Sequence, residues 1–345
     1  MFFAGDIGGT KVNLALCEVH DGRITTQFLR RYSSAQFGSL SDVLVRYVKE
    51  IGPLSGKIEG TCFGVPGPVL NGRCHTVNLP WTPDSAEIAR DLAQVVEAGP
   101  VQLINDLEAT AYGIGLLQKS GQGLSILRAA TGAIGHRANQ ALLAPGTGLG
   151  EAMLLWDGIR HVISPSEGGH ADFGPQDEEQ IELLRWLWPR HKHVSWEHVA
   201  SGPALHRLYR FLKETGRETE PAELAEALAQ PGVDASPVIA AMAIRGQYPI
   251  CVRAFDLWLF FVGAEAGNLA LKSLSLGGIF IGGGIIPNVL ELFRRPAFFA
   301  GLDSKGRMSS VVAGMPVYGI VDPLTALYGA AFSAAHSHGV LHGFR

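Results

Sequence analysis

The chain opens on a short apolar run, Phe2 to Gly5, then the turn Asp6-Ile7-Gly8-Gly9-Thr10, then Val12, Leu14 and Leu16 at every second position. A period of two predicts strand, turn and strand. Asp21-Gly22 is a hairpin signal leading to a third strand near residues 24–32. From Ser39 to Ile51 the period lengthens: Leu40, Val43, Leu44 and Tyr47 fall on one side of a helix. Strands are predicted at 60–65 and 101–105, with a helix starting near Leu107.

A weaker form of the same opening recurs in mid-chain. Ala141 to Ala144 is a short apolar strand, Pro145-Gly146-Thr147-Gly148-Leu149-Gly150 a glycine turn, Ala152 to Trp156 a strand, and Asp157-Gly158 the next hairpin signal. Two similar αβ lobes facing each other across a cleft would account for the repetition. Beyond Gly169 the pattern turns helical, over 178–188, 202–214, 222–229 and one long apolar helix from Ala243 to Leu274. A strand over 276–281 ends in glycines, and Pro287 opens another helix at its first position. Residues 119–139 carry no strong period and are expected to form a loop or a short helix.

Bulk properties narrow the picture. With 345 residues, 47% hydrophobic and 17% charged, the chain has a soluble globular composition with material for a sizeable core, enough for two modest domains or one large one. A net charge of −4 gives no electrostatic footprint for nucleic acid or a membrane surface, so neither is expected as a partner. The most apolar stretch, Leu257 to Ile286, carries Glu265, Asn268 and Lys272 and is interrupted by glycines, which fits a buried helix and strand rather than a membrane span. Cys17, Cys62, Cys74 and Cys251 lack any CxxC spacing and read as reduced thiols of a cytoplasmic protein.

Glycine is the compositional outlier, 43 residues clustered beside apolar runs. In Asp6-x-Gly8-Gly9-Thr10, backbone N–H groups can converge on an anion with no Cβ in the way, Thr10 adds a hydroxyl, and Asp6 can hold Mg²⁺ directly or through water. An ordinary hairpin turn is the bland alternative. Gly146-Thr147-Gly148 offers the same equipment, and the pair suits a triphosphate cradled from both sides. Gly282-Gly283-Gly284 suits a flat ligand such as adenine, or a tight strand-to-helix connection. GxxxxGK[ST] and GxGxxG are both absent, which disfavours P-loop and Rossmann readings.

Asn105-Asp106 ends an apolar strand where a helix begins. In isolation Asp106 reads as an N-cap; functionally it is a carboxylate placed to take a proton from an acceptor hydroxyl. Glu167 and His170 flank Gly168-Gly169 and can hydrogen-bond vicinal sugar hydroxyls. His191, His193 and His198 lie near Glu197, but no clean zinc spacing forms; they read as solvated or capping, and Glu197 on spacing alone as a surface acid.

In this order the motifs resemble the bacterial glucokinase family of the hexokinase–actin superfamily. The resemblance rests on residues 5–10 (GDIGGT), 64–69 (GVPGPV), 78–81 (NLPW), 104–109 (INDLEA), 146–150 (GTGLG), 166–170 (SEGGH), 193–197 (HVSWE), 201–203 (SGP) and 283–287 (GGIIP). It implies an α/β, two-domain actin-like ATPase (ribonuclease H-like) fold, with a small domain of residues 1–110 plus 323–345 and a large one of 111–322. It implies transfer of the γ-phosphate of ATP to the 6-hydroxyl of glucose, by a homodimer. Asp106 would be the base; Asn78, Asn105, Glu167, His170 and Glu197 would hold the sugar with it. Gly5, Asp6, Ile7, Gly8, Gly9, Thr10, Gly146, Thr147, Gly148, Gly283 and Gly284 would surround ATP, and Asp6 would serve Mg²⁺. The related ROK kinases carry a CxCGxxGCxE zinc motif; here it is missing, so no zinc is expected. Alternatives are a kinase for another hexose, a non-catalytic sugar and nucleotide sensor on the same fold, and an ATPase that uses no sugar.

Overall fold

A computed structural model describes the chain except residues 21–22, 55, 77–78, 80, 132–134, 338 and 340–345. The Asp21-Gly22 turn and Asn78 therefore lie outside the described residues. The described residues divide into two compact units: those of Met1–Leu124 with Leu154–Pro165 and residues 322–339, and those of Ser125–Met153 with Ser166–Val321.

In the first unit, strands β1 (Phe2–Ile7), β2 (Lys11–His20), β3 (Arg23–Ser33) and β4 (Gly60–Val65) precede a two-stranded ribbon of β5 (Val69–Leu70) and β6 (Arg73–Cys74), and β7 (Val101–Asn105) follows. The five longer strands form one sheet in the order β3-β2-β1-β4-β7. β1 is antiparallel to β2 and parallel to β4, which is parallel to β7. Both faces are covered, so β1 is apolar almost throughout instead of alternating with polar residues. Phe3, Ile7, Leu14 and Phe63 pack against helices Leu40–Ile51 and Ser85–Leu92. Phe3 stacks on Tyr47 with ring centroids 5.0 Å apart. Phe2, Ala4, Ala15, Cys62 and Ile104 face the opposite way, in one cluster with residues of helices Asp106–Ser120 and Thr325–Ser337.

Those two helices touch backbone to backbone. A Cβ on Gly329 would lie 1.7 Å from the Ala109 carbonyl oxygen, and one on Gly113 would lie 2.2 Å from that of Thr325. Glycine at both positions is what allows the approach. It also seats the helix whose first residue is Asp106.

The second unit carries most of a six-stranded sheet, β8 (Leu124–Arg128), β9 (Gln140–Pro145), β10 (Leu149–Trp156), β11 (His161–Ser166), β12 (Gly278–Ile281) and β13 (Val317–Ile320), in the order β11-β10-β9-β12-β13-β8. Its core is built on helix Pro249–Ser273, where Trp258, Phe261 and Val262 are buried among residues of helices Glu178–Leu187, Ala204–Glu214 and Ala235–Arg245. The single helix expected over 243–274 is two. Gly246 takes a left-handed conformation, φ 63°, which ends the first, and Pro249 opens the second. Residues 119–139, expected as loop or short helix, contain β8, an edge strand with one fully buried side chain in five. So little burial leaves a weak period. Among the described residues no helix is long and apolar enough to cross a membrane.

Candidate active site

In the first unit, Asp6 is the penultimate residue of β1, just before the glycine turn. Its Oδ2 accepts a hydrogen bond from Asn13 Nδ2 (3.2 Å), and Asn13 Oδ1 accepts one from Arg31 Nε (3.0 Å). Burial pushes the Asp6 carboxyl above the usual range, against the Asn13 bond and the Arg31 charge, which lower it. The loop beyond is a closed turn: Gly8 N–H donates to Lys11 O (2.8 Å), and Ser34 Oγ donates to Gly8 O (2.8 Å). Gly9 and Thr10 are exposed at its tip. Gly5 and Ile7 lie within β1. A Cβ on Gly5 would meet Leu14 and Phe63 at 2.7 and 2.8 Å, and the Ile7 side chain is in the core. These two shape the strand from which the turn emerges.

At the same, C-terminal edge of this sheet, two strands away across β4, the N-cap of helix Asp106–Ser120 is Asn105, not Asp106. Asn105 Oδ1 accepts from the N–H groups of Leu107 (2.8 Å) and Glu108 (3.4 Å), while its Nδ2 donates to Gly67 O (3.1 Å). Asp106 is therefore the first helical residue, half-buried, with its Oδ1 accepting from Leu107 N–H at 2.9 Å. Negative charge at a helix N-terminus is favoured by the helix dipole.

In the second unit, four sequence-predicted segments pack around residues 145–151. Leu149 N–H donates to Glu197 Oε2 (3.1 Å), and a Cβ on Gly148 would lie 2.6 Å from that oxygen. Gly202 N–H donates to Gly146 O (2.8 Å); Trp258 Nε1, buried, holds the preceding carbonyl of Ser201 at 2.8 Å. Gly283 has φ 103°, and a Cβ there would meet Pro145 O at 2.4 Å, so the third glycine turn abuts the second. Gly169 sits against Leu149, where a Cβ would lie 2.1 Å from the Leu149 carbonyl oxygen. On that turn Glu167 and His170 are both exposed, with Oε2 and Nε2 4.0 Å apart. Backbone bonds from Trp196 N to Ala171 O and from Phe173 N to Val194 O tie the turn to the segment that starts the Glu197 helix. Glu197, a surface acid on spacing alone, is half-buried and bonded to the glycine loop.

The histidines near Glu197 are taken up locally. His193 Nε2 is 2.7 Å from Asp172 Oδ1, and His198 Nδ1 accepts from Ser195 N–H (3.0 Å). Burial and the neighbouring His191 and Arg207 push His198 down to about 4, so it is neutral at physiological pH. Among the described residues no group of three or more His, Cys, Asp or Glu is arranged to hold a metal ion.

Similarity to known proteins agrees with this geometry. The family model for glucokinase matches residues 3–337. The chain belongs to the glucokinase family. The glucokinase of Nostoc sp. is 35% identical over 97% of this chain and 99% of its own length. That of Salmonella typhi is 34% identical over 96% and 95%. Among solved structures, a glucokinase from an Antarctic psychrotroph superposes with a TM-score of 0.79 at 28% identity, covering 97% of this chain and 98% of that one. As a member of the glucokinase family the chain is an ATP-dependent hexose kinase of the actin-like ATPase fold.

Residues not singled out from the sequence also pack against these turns. Asn13, Arg31 and Ser34 brace the first glycine turn, and Glu151 lies buried beneath the Glu167–His170 turn. Asn13 falls between the alternating apolar residues of β2, the one available hint. Glu151 had none, since an acid after a glycine turn looks solvated.

Proposed function

We propose that the chain moves the γ-phosphoryl group of ATP to the 6-hydroxyl of glucose, with Asp106 orienting that hydroxyl and taking its proton. The observation that carries the reading is the packing of Glu197 and of the Glu167–His170 turn against the same glycine loop, which supplies sugar-directed side chains beside a phosphate-directed backbone. Asn105 and Asn78 complete the proposed sugar set. The N–H groups of Gly8 and Gly146 close their own turns on Lys11 O and Gly148 O, so donors for phosphate would come from Gly9, Thr10, Thr147 and Gly148, and the Gly283–Gly284 turn would give a bare face for adenine.

A free aspartate has a pKa near ~3.9, far too weak to ionise an alcohol beforehand. Asp106 therefore receives the proton as the new P–O bond forms. Asp6 fits a Mg²⁺ site: a half-buried carboxylate with one amide donor is a hard oxygen ligand that a cation would keep ionised. Bound through it, directly or by water, Mg²⁺ would neutralise charge on the phosphate oxygens.

Four buried free thiols support a reducing cytoplasmic setting, and the family resemblance supports a homodimer. Neither nucleic acid nor a membrane is a proposed partner. Light scattering should give about twice the 36.8 kDa chain mass; a monomer mass at assay concentration removes the dimer.

The test of function is a panel of hexoses with ATP and Mg²⁺, read by ADP release. Glucose should give the highest kcat/KM, with no release in its absence. Faster turnover of another hexose would shift the substrate, and release without sugar would remove the kinase reading. In Glu167→Gln and His170→Ala, glucose affinity by calorimetry is expected to fall about tenfold or more, as each leaves a sugar hydroxyl unpaired. Unchanged affinity in both would place the sugar elsewhere.

A further inference from the structure

Beneath the Glu167–His170 turn lies a pair of buried carboxyls that the phosphoryl transfer does not use. Glu151 on β10 is 1% exposed and Glu265 on helix Pro249–Ser273 is 0% exposed. Neither Glu151 oxygen, nor Glu265 Oε1, has a hydrogen-bond donor among the described residues. The other oxygen, Glu265 Oε2, accepts from Asn268 Nδ2 at 2.8 Å, and Lys272 Nζ stands 3.6 Å from Oε1. Among the described residues Lys305 also faces the pair; it donates to Ala264 O (2.8 Å) and Asn268 Oδ1 (2.9 Å) and lies beside Asp303. On the turn side, Ser166 and Gly168 carry no charge. The contact with the turn is close: a Cβ on Gly168 would lie 2.0 Å from Glu151 Oε2.

Two ionised carboxylates facing each other in a dry interior repel, and each would leave unsatisfied oxygens. One proton resolves both problems, making a donor of Glu151 and an acceptor of Glu265. The partners decide which acid keeps it: Glu265 already has Asn268 and Lys272, and Glu151 has neither.

We propose that Glu151 and Glu265 share one proton and that the pair supports the turn carrying Glu167 and His170, which makes Glu151 a positioning residue for the sugar. The inference rests on the reading of that turn as the sugar site. Burial and the Glu265 charge push the Glu151 carboxyl up to about 8. A raised carboxyl holds its proton below that pH and loses it above. The unfolded chain gives up the same proton at the ordinary carboxyl value, so the support weakens as pH climbs from that value through about 8. Above it a second negative charge appears directly under the turn.

The test has two arms. In the first, Glu-¹³C-carboxyl-labelled protein without sugar is titrated by NMR. One resonance should move near pH 8 in the parent and vanish in Glu151→Gln, whose amide keeps a donor toward Glu265 and cannot ionise. No such resonance, or one that persists in Glu151→Gln, overturns the proton sharing. In the second arm, the parent KM for glucose should rise about tenfold between pH 7 and 9, following the deprotonated fraction. Glu151→Gln should abolish that rise. Glu151→Ala should raise KM at pH 7 about tenfold while kcat changes less, as a displaced binding group predicts. An alkaline rise that survives in Glu151→Gln, or an unaltered KM in Glu151→Ala, overturns the positioning role. A parent that turns over no glucose strikes the proposed function instead, and leaves the NMR arm to decide the proton sharing.

Discussion

Asp106→Asn is expected to lower kcat for glucose phosphorylation by roughly 10²–10⁴ with little change in thermal midpoint. The side chains are nearly the same size, and an asparagine carbonyl can still accept the Leu107 N–H that Asp106 Oδ1 now takes at 2.9 Å. The helix keeps its true cap, Asn105, so the substitution spares the fold and removes only the proposed proton acceptor. Placement at N1 puts the Asp106 carboxylate at the positive end of the helix dipole, a favourable place for the proposed acceptor. Turnover within threefold of the parent would take Asp106 out of this role. A loss of kcat accompanied by a collapsed melting curve would show that the residue is structural.

The second large effect is on stability. Gly329→Ala would put a methyl group 1.7 Å from the Ala109 carbonyl oxygen and 2.7 Å from Gly113 N, where backbone atoms of helix Asp106–Ser120 cannot move aside singly. The two helices must part. Overpacking of this kind costs about 1–3 kcal/mol or more, which for a unit of this size lowers the melting midpoint by roughly 2–12 °C. Because Asp106 begins one of the two helices, kcat should fall as well, even in the fraction that remains folded. Gly135→Ala is the matched control, since among the described residues nothing lies within 4 Å of its Cβ position. Equal melting curves for both variants would contradict the close approach.

Much of this was visible in the chain before folding, and the exceptions have physical causes. The paired strand–glycine turn–strand openings were legible because period-two alternation and clustered glycines are local signals. Asp106 as an acid at a strand end was legible too, but its neighbour's role was not. Asn105 and Asp106 are both good caps, and only the register of the helix assigns the cap to Asn105. Helix Ser85–Leu92 announces itself through Asp84, which accepts from the Ala86 and Glu87 N–H groups, yet it has few apolar residues to give a period. The break at Gly246–Pro249 was hidden by apolar residues that run on across it, although glycine followed by proline is itself a stop signal. Glu151 could not be found locally. Its burial depends on Glu265, on another element of the second unit, and on Gly168 being glycine.

In the proposed reaction a single carboxylate, Asp106, serves the 6-hydroxyl of glucose. A crystal structure of the chain with glucose bound and a non-hydrolysable ATP analogue present tests it most directly. An Asp106 carboxylate oxygen is expected at about 2.6–3.2 Å from O6, with Glu167, His170 and Glu197 on other hydroxyls. A bound glucose whose O6 meets a different acid, with Asp106 beyond reach of any sugar atom, would contradict it.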